Sequence, residues 1–171
     1  ITANAPIDVA AAGSVTAAFH MSGQVCTSAE RFFVVDSVHD EFIAAFARET
    51  KRLRIGNGLT KAEIGPLVSE AAREKVIRLV EDAKAKGATV VTGGKIPEGQ
   101  PVGWFYEPTI LTGCTPDHHD GDLGGVGSPR HQPRVERHLV EVPRPVAPVA
   151  RVGRVGRRPG LVGVGHLAAD Q

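Results

Sequence analysis

The chain has 171 residues, of which 42% are hydrophobic, and its formal net charge at pH 7 is +1. This length and apolar content suffice for one domain of ordinary size, and so weak a charge excludes the strong positive field typical of nucleic-acid binding. No apolar run approaches the roughly 20 residues of a membrane span, and no signal peptide is recognisable. The two cysteines, Cys26 and Cys114, are too few for a disulfide framework. We therefore expect a cytoplasmic protein without nucleic-acid or membrane partners.

The first predicted elements lead up to a cysteine. Residues 5–9 form a short extended stretch, and residues 10–20 are rich in Ala with apolar side chains at helical spacing. A loop over residues 21–24 follows this helix. After Cys26 we expect a turn or more of helix, which would place this thiol at a loop-to-helix junction.

A strand and a second helix follow the cysteine. Residues 31–36 carry a near-continuous run of Phe and Val, which is typical of a strand buried on both faces and therefore indicates a parallel sheet. Ser37, with Asp40 three positions later, is close to a capping box. We expect the helix that it opens to run to about Leu53.

A third helix and two more strands complete the predicted fold. Ser69 is a candidate N-cap and Gly87 a candidate C-cap, and residues 89–92 and 104–111 have strand character. The inner face of the helix is predicted to carry Ala72, Val76, Leu79, Val80 and Ala83. This order of elements predicts an α/β fold with a mostly parallel sheet flanked by helices.

The composition changes sharply after Asp117. Residues 118–171 contain no Lys, Ile, Phe, Met, Trp, Tyr, Asn, Thr or Cys, and are rich in Gly, Pro and Arg. Such a segment cannot supply bulky packing, so we expect an irregular, disordered tail. Two explanations stay open: a GC-rich gene read out of frame, or a natural Arg-rich and Pro-rich tail. The adjacent His118 and His119 point apart in an extended chain, so no metal site is assigned.

A short motif carries the chemistry. Residues 23–26 read Gly-Gln-Val-Cys, follow an apolar helix and precede Arg31, which opens a strand. This Gly-Gln-x-Cys core and its neighbours resemble the catalytic segment of NAD(P)-dependent aldehyde dehydrogenases. The resemblance continues, in order, through residues 64–68, the helix after Ser69, residues 87–88, 93–94 and 105–111. It covers most of residues 3–117, so residues 1–117 are identified as a partial catalytic domain of that family.

The resemblance implies that Cys26 is the nucleophile. Its thiolate would attack the carbon of a small-molecule aldehyde, and the resulting thiohemiacetal would be oxidised to a thioester and hydrolysed to a carboxylic acid. Inward-pointing N–H groups at a loop-to-helix junction favour the charged sulfur that this attack needs. Val25 and Thr27, which flank the nucleophile, would by the resemblance face the substrate and influence which aldehyde fits.

The same resemblance implies NAD or NADP as cofactor, bound mainly by a domain absent from this chain. The general base and the Asn of the oxyanion hole precede this segment in the family, and the parent enzyme is expected to be a homo-oligomer. In the family a Glu-x-Phe-Gly-Pro motif holds the cofactor ribose, whereas residues 120–124 read Asp-Gly-Asp-Leu-Gly. No cofactor-binding residue is therefore assigned, and because the chain starts at Ile1 we expect an incomplete enzyme.

A different class of function stays open. Without turnover, the chain would be a non-catalytic remnant or an interaction protein, and Cys26 would be a small buried hydrophobic residue. Cys114, which follows a predicted strand without a neighbouring motif, is expected to be such a structural thiol. Deep burial of the Cys26 sulfur would contradict the enzymatic interpretation.

Overall fold

The computed structural model describes residues 1–100, 102–114, 139–141 and 153–155. Three helices lie in the first half of the chain: α1 (Ile7–Phe19), α2 (His39–Thr50) and α3 (Glu70–Ala85). The strands are β1 (Arg31–Val35), β2 (Thr89–Thr92), β3 (Ile110–Cys114), β4 (Leu139–Glu141) and β5 (Gly153–Val155). The alternation of helices and strands over residues 1–114 agrees with the predicted α/β class.

The ends of the helices agree with the sequence predictions in one helix and differ from them in two. The ends of the third helix are as predicted, since the Ser69 hydroxyl accepts a hydrogen bond from the Ala72 amide at 3.2 Å and Gly87 has a positive φ of 96°. Its predicted inner face is buried except for Leu79, which is only partly buried. The extended stretch predicted for residues 5–9 is wrong, because α1 already begins at Ile7 after a proline. The Ser37 cap is wrong too, because a 3-10 turn occupies residues 36–38 and α2 begins without a side-chain cap.

The described strands form a sheet in the order β2-β3-β4-β1-β5. The β1–β5 pair is parallel, and the pairs β2–β3, β3–β4 and β4–β1 are antiparallel. The prediction of a mostly parallel sheet is therefore wrong for these strands. Two consecutive strands can pair in parallel only if a long connection, usually a helix, joins them. None of the described residues between β2 and β3 is helical, and these two strands pair antiparallel. The strand predicted over residues 104–111 begins only at Ile110.

Strand β1 alternates between buried and exposed side chains. Phe32 and Val34 are buried, whereas Phe33 is 47% exposed. The prediction of burial on both faces is therefore wrong, since an apolar run does not by itself say how many layers cover a strand. Phe32 and Val34 belong to the same buried cluster as residues of α1 and α2. The Phe33 side chain lies on the other face of β1, away from this cluster.

Four phenylalanine rings form the centre of the core. Phe46 is fully buried, and its ring centroid lies 6.1 Å from that of Phe19, 5.2 Å from that of Phe32 and 5.5 Å from that of Phe42. These separations are in the range of favourable aromatic pairs. Phe19 ends α1 and Phe32 lies near the start of β1, so this aromatic cluster anchors both ends of the loop that carries Cys26.

The segment 118–171, for which the sequence predicts little regular structure, contributes β4 and β5, two strands of three residues each. Residues 118–124, including the two histidines, lie outside the described residues. Within the described part of the chain, no helix is long and apolar enough to cross a bilayer. The same residues contain no group of three or more His, Cys, Asp or Glu side chains placed to hold a metal ion.

Candidate functional site

A left-handed stretch of backbone precedes Cys26. The 3-10 turn at His20–Gly23 contains Met21 with φ 49° and Ser22 with φ 59°, and Gly23 follows with φ 73°. Only Gly adopts this conformation without a steric cost, so two ordinary side chains here store strain that surrounding contacts must offset. Within the described residues, Met21 and Ser22 are the two non-glycine residues with positive φ. The backbone strain is therefore concentrated beside the predicted nucleophile.

Side chains of this stretch are hydrogen-bonded to a distant loop. The Ser22 hydroxyl donates to the Gly65 carbonyl oxygen at 2.9 Å. Gln24 makes contacts at both ends of its amide: Oε1 accepts from the Val68 amide at 2.9 Å, and Nε2 donates to the Pro66 carbonyl oxygen at 3.3 Å. Residues 65–68 thus hold the backbone just ahead of Cys26.

Sequence reasoning missed Ser22 and Gln24 as functional residues. Gln24 belongs to the Gly-Gln-x-Cys motif and residues 64–68 form another block of the family resemblance, yet a sequence pattern does not show that the two segments touch. The structure supplies this contact and assigns the Gln24 side chain to it.

Cys26 lies at the tip of a β-turn. The Ser28 amide donates to the Val25 carbonyl oxygen at 3.0 Å, which makes Cys26 and Thr27 the two central residues. Both are exposed, and neither has a positive φ, which excludes a type II turn and the mirror-image types I′ and II′. The helix predicted after Cys26 is wrong: the Ala29 amide donates back to a carbonyl oxygen of α1, and the chain passes directly into β1.

The turn presents both a sulfur and free backbone donors. Cys26 is exposed, so deep burial, which would have contradicted a nucleophilic role, is not observed. Within residues 1–100 and 102–114, no acceptor receives the amide hydrogens of Cys26 and Thr27, as is usual for the centre of a β-turn. Cys114, by contrast, is 1% exposed inside β3, as expected for a structural thiol.

The other two predicted site residues flank the sulfur without forming an enclosed pocket. Val25 is partly buried and Thr27 is exposed. Two clefts elsewhere share Glu107 and Pro108 in their walls, and neither is lined by residues 25–27. The structure therefore brings Val25, Cys26 and Thr27 together on one turn but does not join them to either cleft.

The first of these clefts is apolar and contains a phenol. Its walls are Phe19, Ser22, Ile64, Leu67, Val76, Tyr106, Glu107, Pro108 and Thr109. Burial, reinforced by the negative charges of Glu81 and Glu107, raises the pKa of the Tyr106 phenol above its ordinary value. Tyr106 therefore stays protonated and neutral at physiological pH.

The helix starts of α1 and α3 lack the usual motif for binding the pyrophosphate of a dinucleotide. A pyrophosphate site of the usual kind needs a glycine-rich turn between a strand and the N-terminus of a helix. The residues just before α1 and α3 are Pro6 and Ser69, and no Gly-x-Gly-x-x-Gly sequence precedes either helix.

Fold and site together define a helix–turn–strand unit that exposes a thiol at a β-turn, anchored by an aromatic cluster and by a second loop. The model of the aldehyde dehydrogenase family matches residues 1–120, and the chain belongs to this family. Succinate-semialdehyde dehydrogenase of mouse mitochondria is 47% identical over 116 residues, which are 67% of this chain and 22% of that protein. The chain thus spans about a fifth of the length of this relative.

Solved structures give the same assignment. Succinate-semialdehyde dehydrogenase from Burkholderia pseudomallei matches with a TM-score of 0.65 and 39% identity, over 68% of this chain and 24% of that one. Betaine aldehyde dehydrogenase from Staphylococcus aureus, solved in complex with NAD+, matches with a TM-score of 0.62 and 33% identity, over 64% of this chain and 22% of that one. About two thirds of the chain therefore has the fold of a segment of these enzymes.

Proposed function

We propose that this chain supplies the nucleophile of an enzyme that oxidises a small-molecule aldehyde to a carboxylic acid with NAD or NADP, and that Cys26 is that nucleophile. The observation that carries the proposal is the exposed thiol of Cys26 at the tip of a β-turn, inside a segment that belongs to the aldehyde dehydrogenase family. The relatives named for succinate semialdehyde and betaine aldehyde support an aldehyde as the substrate.

The turn is suited to the addition step. The deprotonated sulfur attacks the carbonyl carbon, a carbon–sulfur bond forms, and the π electrons of the carbonyl move to its oxygen. The developing oxyanion needs hydrogen-bond donors, and the amide groups of Cys26 and Thr27 lack protein acceptors within residues 1–100 and 102–114. Protonation of the oxyanion then gives the thiohemiacetal. Val25 and Thr27, beside the sulfur, would contact the aldehyde substituent.

Acyl transfer from an activated ester tests this chemistry without a cofactor. With p-nitrophenyl acetate, the sulfur attacks the ester carbonyl, p-nitrophenolate leaves and an acetyl group remains on sulfur. We expect the peptide containing Cys26 to gain one acetyl group, faster in the folded chain than in the same chain unfolded in urea. The Cys26→Ala variant should lose this product, whereas Cys114→Ala, the matched control, should keep it.

The outcome separates the two classes of function. If Cys26 is acetylated no faster in the folded chain than in urea, the fold gives the thiol no catalytic advantage. The chain is then better described as a non-catalytic remnant or an interaction protein.

A second experiment tests aldehydes directly. Reversible addition of an aldehyde to Cys26 should protect this thiol from alkylation by iodoacetamide. We would compare succinate semialdehyde, which carries a carboxylate, with betaine aldehyde, which carries a quaternary ammonium group. Stronger protection by one of them identifies the charge that the site prefers, and absence of protection by both contradicts the proposal.

We further propose an assembly, a location and a domain division for the enzyme. The parent enzyme is a homo-oligomer located in the cytoplasm and does not bind nucleic acid or membranes. Residues 1–117 form the catalytic segment, and residues 118–171 form a tail that adds β4 and β5 to its sheet. Light scattering of the purified chain, localisation of the gene product and peptide mass mapping of the tail test these statements.

A further inference from the structure

We infer that Gln24 is a positioning residue, whose side-chain amide holds the turn of Cys26 against residues 65–68. This inference rests on the function proposed above, since it needs Cys26 to be the nucleophile. Gln24 does not act on the substrate in this view. It fixes the backbone from which the sulfur and the amide donors project.

The geometry of the Gln24 side chain supports this role. Its Oε1 accepts from the Val68 amide at 2.9 Å, while its Nε2 donates to the Pro66 carbonyl oxygen at 3.3 Å and to the Met21 carbonyl oxygen at 3.4 Å. One side chain therefore joins the left-handed stretch to a loop that lies more than 40 positions later in the sequence. The backbone amide of Gln24 also donates to the Met21 carbonyl oxygen, at 3.1 Å.

The strained backbone explains why such a contact is needed. Left-handed conformations of non-glycine residues are costly by roughly 1–2 kcal/mol each and persist only where the surroundings impose them. Met21 and Ser22 both adopt this conformation immediately before Gln24. Without the Gln24 contacts, this stretch could relax toward ordinary backbone angles, and the turn two residues later would change its orientation.

Two reactions of the same thiol distinguish positioning from simple exposure. Alkylation by iodoacetamide displaces iodide from a saturated carbon and forms no oxyanion. Acylation by p-nitrophenyl acetate forms an oxyanion, so its rate depends on the placement of backbone donors as well as on the sulfur. The ratio of acylation to alkylation at Cys26 therefore reports the donor geometry, while differences in accessibility or ionisation cancel.

The test compares three variants of the full chain. Gln24→Met keeps the length of the side chain and removes its hydrogen bonds, and we expect the ratio to fall roughly ten- to a hundred-fold. Gln24→Glu keeps the acceptor for the Val68 amide but loses the two donated bonds, so it should recover part of the loss. Gln100→Met is the matched control, because Gln100 also binds a backbone carbonyl, that of Ile55, at 3.1 Å, away from the turn.

Amide hydrogen exchange supplies an independent readout. Val68 has an exposed side chain, and its amide hydrogen is bound by the Gln24 carboxamide. Exchange at Val68 should become faster in Gln24→Met and stay slow in Gln24→Glu. The control at Gln100 should leave both the exchange and the reaction ratio unchanged.

The possible outcomes separate this inference from the proposed function. If the unmodified chain acylates Cys26 faster when folded, but Gln24→Met gives the same ratio, the positioning role is wrong and the proposed function stands. If all three variants lower the ratio equally, the effect is a general loss of structure and the inference is also wrong. If the unmodified chain shows no acylation advantage when folded, both are overturned, because there is no nucleophile to position.

Discussion

Truncation of Phe46 tests whether the aromatic cluster holds the site together. Phe46 is fully buried and its ring contacts Phe19, Phe32 and Phe42 at centroid distances of 5.2 to 6.1 Å. Phe46→Ala removes the favourable burial of the ring carbons and leaves a cavity. Together these two effects should lower the free energy of unfolding by about 3–5 kcal/mol. For a chain of this length, such a loss lowers the melting temperature by roughly 10 °C.

The measurement is urea unfolding followed by the fluorescence of Trp104, the single tryptophan of the chain. Phe33→Ala is the matched control, because the same chemical change at a side chain that is 47% exposed should cost only about 1 kcal/mol. If Phe46→Ala leaves too little folded protein to measure, Phe46→Leu should show a smaller loss in the same direction. Equal losses at positions 46 and 33 would refute the assignment of this cluster as the core.

Substitutions at three other positions have outcomes set by local geometry. Gly93→Ala should destabilise the chain by more than about 1 kcal/mol in urea unfolding, because φ is +73° and a Cβ would lie 2.3 Å from the Pro108 carbonyl oxygen. Ser69→Ala should lower the free energy of unfolding by about 1 kcal/mol in the same measurement, because it removes the N-cap of α3. Ser69→Asp should leave the free energy of unfolding nearly unchanged, because Asp is also a good N-cap. Because Arg54 lowers the pKa of Glu63 from 4.5 to about 2, the stabilisation from this pair is complete above pH 4.5 and is lost as the pH falls toward 2. Glu63→Gln should therefore weaken the dependence of stability on pH in that window, and an unchanged acid titration of stability would contradict this assignment.

The elements that the sequence predicts well are those decided by neighbouring residues. The third helix has its N-cap at Ser69 and a glycine with positive φ at Gly87, as predicted, because both signals act within a few positions of the helix ends. The strand at residues 89–92 is also confirmed, since β-branched residues followed by two glycines define it locally. The Gly-Gln-x-Cys motif at residues 23–26 led to the correct family, because it too is a local pattern.

The predictions that failed concern distant partners. Strand direction depends on which strands pair, and β4, which lies between β3 and β1, comes from a segment whose composition gives no strand signal. The expected helix after Cys26 does not form, because the Ala29 amide is used by the carbonyl oxygen of Ala17 in α1. The role of Gln24 depends on a loop more than 40 positions away, so no local pattern could assign it.

The separation between Gln24 and the loop that binds it has a consequence during protein synthesis. The two hydrogen-bonded segments lie 42 to 44 positions apart in the chain. At about 5–20 residues per second, a ribosome makes residues 66–68 roughly two to nine seconds after Gln24. During that interval the hydrogen bonds of Gln24 to residues 66–68 cannot form, so the turn that carries Cys26 lacks the contacts that hold it in the folded chain.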